Sequence, residues 1–215
     1  MFDLKTEPYH QSVERLPPSG QQIIGYQNDS SIVVYQAYKR STADFAAKNQ
    51  VFGGDGFSYN RMSWIKPNFL WMMFRCGWAE KEGQEGVLAI TLSKTFFLEI
   101  LSKAIISSFN TDYYSDQNKW KEDLSNADVR LQWDPDHDAL GNKITRRAIQ
   151  LGLKGEMLER YGKSEIISIR DITPFVVEQK KLLDYGNTQA LVVPHETIFQ
   201  IDDANLATRI GIRLT

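Results

Sequence analysis

Apolar and polar positions along the chain fall into two rhythms. Short β-branched or apolar runs predict strands at SIVVYQAY (31–38), GVLAITLS (86–93), VRLQW (129–133), EIISIRDI (165–172) and ALVVPHETIFQI (190–201), with RMSWI (61–65) extended as well. Pro194 makes the last strand an interrupted or edge strand. Helical spacing covers 41–52, 67–76, 94–109, 144–162 and 173–184. Their stops are Gly53–Gly54 after the first, Gly77 after the second and Gly162 at the end of the fourth, and Pro174 opens the last. Residues 111–127 read as a polar loop with a short helix, and DPDHDALGNK as a loop. Residues 1–20 hold Pro17, Pro18 and Gly20 and read as an N-terminal arm, leaving 21–215 as one domain. Strands and helices mix without strict alternation. The expected fold is α+β (mixed α/β), a central mixed or antiparallel sheet with several packed helices.

The stretch RMSWIKPNFLWMMFRCGW departs from this background. It carries Trp64, Trp71 and Trp78 at a spacing of seven, together with Arg61, Lys66 and Arg75. A helix over 67–76 is apolar nearly all round and belongs in the interior. Arg75 falls in its last turn, where a cation complements the helix dipole. Lys66 falls just ahead of its start, where backbone N–H groups already favour an anion. A lysine there is useful when a phosphate or carboxylate binds between the two. Arg146 and Arg147 pose the same question. On a helix over 144–162 they occupy the first turn, a placement that costs about a kcal/mol unless acids or a ligand offset it. Asp134, Asp136 and Asp138 lie just upstream as internal partners.

Composition narrows the field. The chain has 215 residues and a formal charge of -2, without the basic excess of a protein that coats nucleic acid. Its single cysteine, Cys76, permits no internal disulfide and fits a reducing compartment. MFDLKTEPYH has no apolar run, and FLWMMF is too short to span a bilayer. A cytoplasmic protein without a membrane partner is expected; oligomeric state is not legible.

QWDPDHD raises the question of metal. As an EF-hand loop from Asp134 it would need glycine and glutamate where Ala139 and Thr145 stand, and neither HExxH nor paired cysteines occur. No metal site is expected. His137 remains a candidate acid or base because its ordinary pKa is near neutrality. VVPHETIF places Glu196 in or beside a strand, where a buried carboxylate is a candidate for chemistry. No GxGxxG, GxxxxGK[ST] or GxSxG motif is present.

VYQAY (34–38), RMSWIKPNFLWMMFRCGWA (61–79), QWDPDHD (132–138), RRAIQLGLKG (146–155) and VEQ (177–179) resemble the domain of unknown function family 4291 (DUF4291). That resemblance spans nearly the whole chain and implies no reaction. The order of elements also resembles ADP-ribosyltransferase-like folds. This implies NAD as cofactor, with Tyr35 or Arg40, Ser63 and Glu196 at the site and Glu196 supporting an oxocarbenium-like transition state.

Two readings follow. In the first, an enzyme binds a small anionic, nucleotide-like ligand: Arg61, Lys66, Arg146 and Arg147 hold phosphates, Tyr35 or Trp64 stacks on a base, and Glu196 or His137 acts. In the second, a non-catalytic module binds nucleic acid or protein through exposed Trp64 and Trp133. A bland account pairs every unusual cation with the protein's own aspartates.

Overall fold

The computed structural model describes residues 4–111 and 113–212. Two sheets carry the fold. In the first, β3 (Ser31–Tyr38) pairs antiparallel with β5 (Gly86–Ser93), which pairs antiparallel with β9 (Ile166–Asp171). β3 and β5 are buried on both faces. Ile32, Val34, Leu88, Ile90 and Leu92 enter one core, whereas Val33, Tyr35, Val87 and Ala89 enter the other. The two-residue period of a strand sends alternate side chains to opposite faces, so β3 and β5 are apolar along nearly their whole length.

The second sheet has the order β4 (Ser63–Ile65), β8 (Lys143–Leu153), β7 (Val129–His137), β6 (Ala104–Ile106). Its centre is the β7–β8 hairpin, turned by Asp138 and Gly141. Asp138 Oδ1 accepts from the Leu140 and Asn142 N–H groups, and Gly141 takes φ +83°. The two sheets meet where Tyr35 and Lys66 exchange backbone hydrogen bonds of 2.7 and 3.2 Å.

Around them lie α2 (Arg40–Asn49), α3 (Phe69–Cys76), α4 (Lys94–Ser102), α5 (Gln117–Asn126), α6 (Gly155–Lys163), α7 (Thr173–Asp184) and α8 (Ala204–Arg209). Two short pairs complete the fold, β1 (Thr6–Pro8) with β10 (Val192–Pro194) and β2 (Ile24–Gly25) with β11 (Thr197–Ile198). The expected α+β class holds. No helix among the described residues is long and apolar enough to cross a membrane.

Several expected elements change type. The helix over 144–162 is a strand followed by a helix, β8 then α6. Ile149, Leu151 and Leu153 are buried at a strict spacing of two, and Gly152 and Gly155 weaken any continuous helix. DPDH belongs to β7 rather than to a loop. The helix over 94–109 stops at Ser102, because Ala104, Ile105 and Ile106 add a parallel strand to β7. The helix over 41–52 ends at Gln50 in the left-handed conformation, ahead of the glycines. The described part of the arm is ordered onto the body: α1 (Tyr9–Arg15) follows β1, and Arg15 pairs with buried Glu7 and donates to the Glu196 carbonyl at 2.6 Å.

Candidate functional site

α3 begins at Asn68, whose Oδ1 accepts from the Trp71 N–H at 2.7 Å. It ends at Gly77 in the left-handed conformation. Residues 63–68, which lead into it, separate two cavities that share no lining residue.

On one side is a cleft of about 440 Å³ lined by β3, β4, the 56–62 loop and α3. It gathers Arg61, Ser63, Trp64 and Lys66, four of the expected site residues, and adds Lys39 and Arg75. Among the described residues no aspartate or glutamate lines it. None of the four cations Lys39, Arg61, Lys66 and Arg75 forms an ion pair among the described residues. Lys39, Arg61 and Arg75 are exposed, but Lys66 is 6% exposed. Its Nζ has one polar contact, the Trp64 carbonyl at 3.5 Å. Burial, reinforced by the like charge of Arg75 and opposed in part by Asp134, pulls the Lys66 ammonium down to about 8.

The wall behind Lys66 is a polar cluster inside the fold. Gln36 Nε2 donates to Ser63 Oγ (2.7 Å), Tyr38 OH (2.8 Å) and the same Trp64 carbonyl (3.2 Å). Tyr38 OH and Ser63 Oγ share a 2.7 Å hydrogen bond, and Tyr161 OH donates to Gln36 Oε1 at 2.7 Å. With Tyr38 as donor to Ser63, the serine proton is free for the cleft. Trp64 and Met62 lie against Gly152. A β-carbon there would stand 2.6 Å from Met62 Sδ and 3.0 Å from the Trp64 ring, so only glycine lets both side chains seat.

On the other side is a mostly apolar cavity of about 340 Å³ that holds Glu196, His137 and Arg146. Glu196 is 4% exposed and occupies the start of α3. Its Oε1 accepts from the Phe69 N–H at 2.7 Å and its Oε2 from Asn68 Nδ2 at 3.2 Å. The helix start is therefore occupied by the protein's own Glu196 carboxyl, and Lys66 faces the opposite cavity. Burial pushes the Glu196 carboxyl well above its ordinary range, against the lowering effect of the Phe69 N–H. His137 is buried, its ring stacked on Phe74 at 3.5 Å and on Trp71 at 5.1 Å. Burial lowers its pKa, opposed in part by Asp136. It packs against α3 and does not reach the cationic cleft.

The remaining expected site residues join neither role. Arg146 is buried against Asp136, with Nε 2.7 Å and Nη2 2.6 Å from Oδ2, so the bland account holds for it. Arg147 lies on β8 and donates to the Trp133 carbonyl at 2.7 Å, outside both cavities. Neither arginine stands at a helix start, because that segment is a strand. Trp133 is half-buried and tied through Nε1 to the Ile210 carbonyl at 2.7 Å, outside both cavities. Tyr35 is fully buried with its ring edge against Phe69, so it stacks on no ligand. Arg40, the alternative early residue, is held by Asp44 and Asp171. Asp134 accepts from Gln132 and Gln150.

The family described as Domain of unknown function (DUF4291) matches residues 22–199. The chain belongs to this family. No curated protein matches its sequence. The DUF4291 match contains the whole lining of the cationic cleft, whereas α1, which walls the apolar cavity, lies outside it.

Sequence reasoning missed Lys39 and the Gln36–Tyr38 cluster. The available signal was a glutamine inside an otherwise apolar strand of this DUF4291 chain, since a buried amide needs partners. It also gave Arg75 a purely helical role.

Proposed function

We propose that this DUF4291 protein binds a small phosphorylated ligand of nucleotide size in the cationic cleft. The observation that carries this reading is Lys66. It is a buried lysine with no carboxylate partner among the described residues, in a cleft where these residues supply three further cations and no acid. Keeping a charge out of water is costly unless it is paired. A protein anion could have supplied the pair, as Asp136 does for Arg146. An incoming phosphate would supply it here, with Arg61 and Arg75 as planar donors and the Ser63 hydroxyl as a further one. The volume lies in the range of small-molecule sites. Trp64, Phe57 and Tyr38 offer aromatic surface for a ring or base.

Transfer of ADP-ribose with Glu196 as the acting carboxylate is not favoured. Glu196 serves the start of α3 and lines the other cavity, away from Ser63 and Lys66. NAD remains a ligand to test for its diphosphate, not for that chemistry.

Calorimetric titration with inorganic pyrophosphate, ADP and NAD tests the reading. Binding of at least one is expected. Arg61→Ala or Arg75→Ala should weaken it about tenfold or more, as loss of a charged hydrogen bond does. Arg147→Ala should leave it unchanged. No heat with any of the three, or equal weakening by Arg147→Ala, overturns the proposal.

A further inference from the structure

Lys66 has a second property that anion binding alone does not require. A lysine kept only for its charge gains from being fully protonated, and an arginine would serve better. Lys66 is instead buried beside Arg75, a like charge, and among the described residues no carboxylate pairs with it, Asp134 opposing the loss of its proton only in part. Its Nζ makes one long contact to the Trp64 carbonyl, an oxygen already engaged by Gln36 Nε2. The amine thus lies at the end of the Gln36–Ser63–Tyr38 cluster with its lone pair uncommitted whenever it is neutral. Desolvation together with a neighbouring cation is the environment that turns lysine into a nucleophile.

We propose that Lys66 forms a Schiff base with a phosphorylated aldehyde or ketone held in the cleft. This rests on the phosphate reading above. In the step, the neutral Nζ attacks the carbonyl carbon and passes one of its own protons to the carbonyl oxygen, giving a carbinolamine. The carbinolamine then loses its hydroxyl, with a second proton, as water. A C=N bond replaces the C=O bond, and no oxidant or reductant is consumed. Counted from the ammonium form, one positive charge enters and one leaves as the iminium, so the site keeps its charge opposite the phosphate. Arg61, Arg75 and Lys39 grip the phosphate while Lys66 reacts, which divides the four cations by exposure: three exposed and one buried. Ser63, bonded to Tyr38 and Gln36, is placed to hand a proton to the departing hydroxyl. The depressed Lys66 supports this. A fall from 10.5 to about 8 raises its neutral fraction at pH 7 roughly 300-fold.

Pyridoxal 5′-phosphate is a suitable probe, because borohydride converts its imine into a stable amine that peptide mass mapping locates. Lys66 should be labelled at least tenfold faster than surface lysines at pH 7.5, and inorganic pyrophosphate should suppress the labelling. Pyridoxal, which lacks the phosphate, should label Lys66 at least tenfold more slowly. Label confined to surface lysines, or Lys66 labelled no faster than they are, overturns the proposal. If pyrophosphate binds by calorimetry and Lys66 still takes no label, the Schiff base is excluded and the phosphate site stands. If none of pyrophosphate, ADP and NAD binds and Lys66 takes no label, both are excluded.

Discussion

Lys66 is where sequence, energetics and function meet. Its folded-state pKa of about 8 lies below the ordinary 10.5, so between these values the unfolded chain holds a proton that the folded chain has released. Stability therefore rises with pH through that window, and below pH 8 the whole penalty is present, about 3 kcal/mol by linkage. Lys66→Met keeps the length of the side chain and removes the charge. It should raise stability at pH 7 by up to about 3 kcal/mol and abolish the rise between pH 8 and 10. Urea denaturation at pH 7 and pH 9.5 reads both effects. A variant less stable than the parent at pH 7 would mean that Lys66 is already paired within the fold.

The link from β4 to α3 orients that lysine. Asn68 caps the start of the helix at Phe69, one residue after Pro67, Gly77 ends it, and Glu196 reaches from the break between β10 and β11 to its first N–H. Asn68 both caps Trp71 and donates to Glu196. Asn68→Ala should thus cost about 2 kcal/mol, a cap together with a hydrogen bond to a buried group, measured by chemical denaturation. A loss of under half a kcal/mol would show that water replaces both contacts. This element was legible in the sequence because its signals are local: a helix start, a left-handed glycine and an apolar face. The segment from 144 to 162 was not. Its apolar residues satisfy a helical spacing nearly as well as the two-residue spacing of β8, and the strand wins through its pairing with β7, which spacing alone does not show. The reading of Arg146 and Arg147 as cations at a helix start failed with it. Glu196 was legible as a buried carboxylate, but not its partner, which lies 127 residues away in the chain.

Across the whole molecule, charge is sorted more sharply than a net value of -2 implies. Among the described residues four cations and no acid line one cleft, and the cavity on the other side of residues 63–68 is mostly apolar with a buried Glu196. Such focusing raises the local concentration of anions and speeds their capture. It also makes capture proton-linked. A bound phosphate favours the charged form of Lys66 and raises its pKa, so binding near pH 8 must take up a proton. Titration of inorganic pyrophosphate at pH 8, in two buffers of different ionisation enthalpy, measures that uptake directly. The cationic cleft predicts binding with net uptake of a substantial fraction of a proton, lost in Lys66→Met. Binding with no proton uptake, or uptake that persists in the variant, would contradict it.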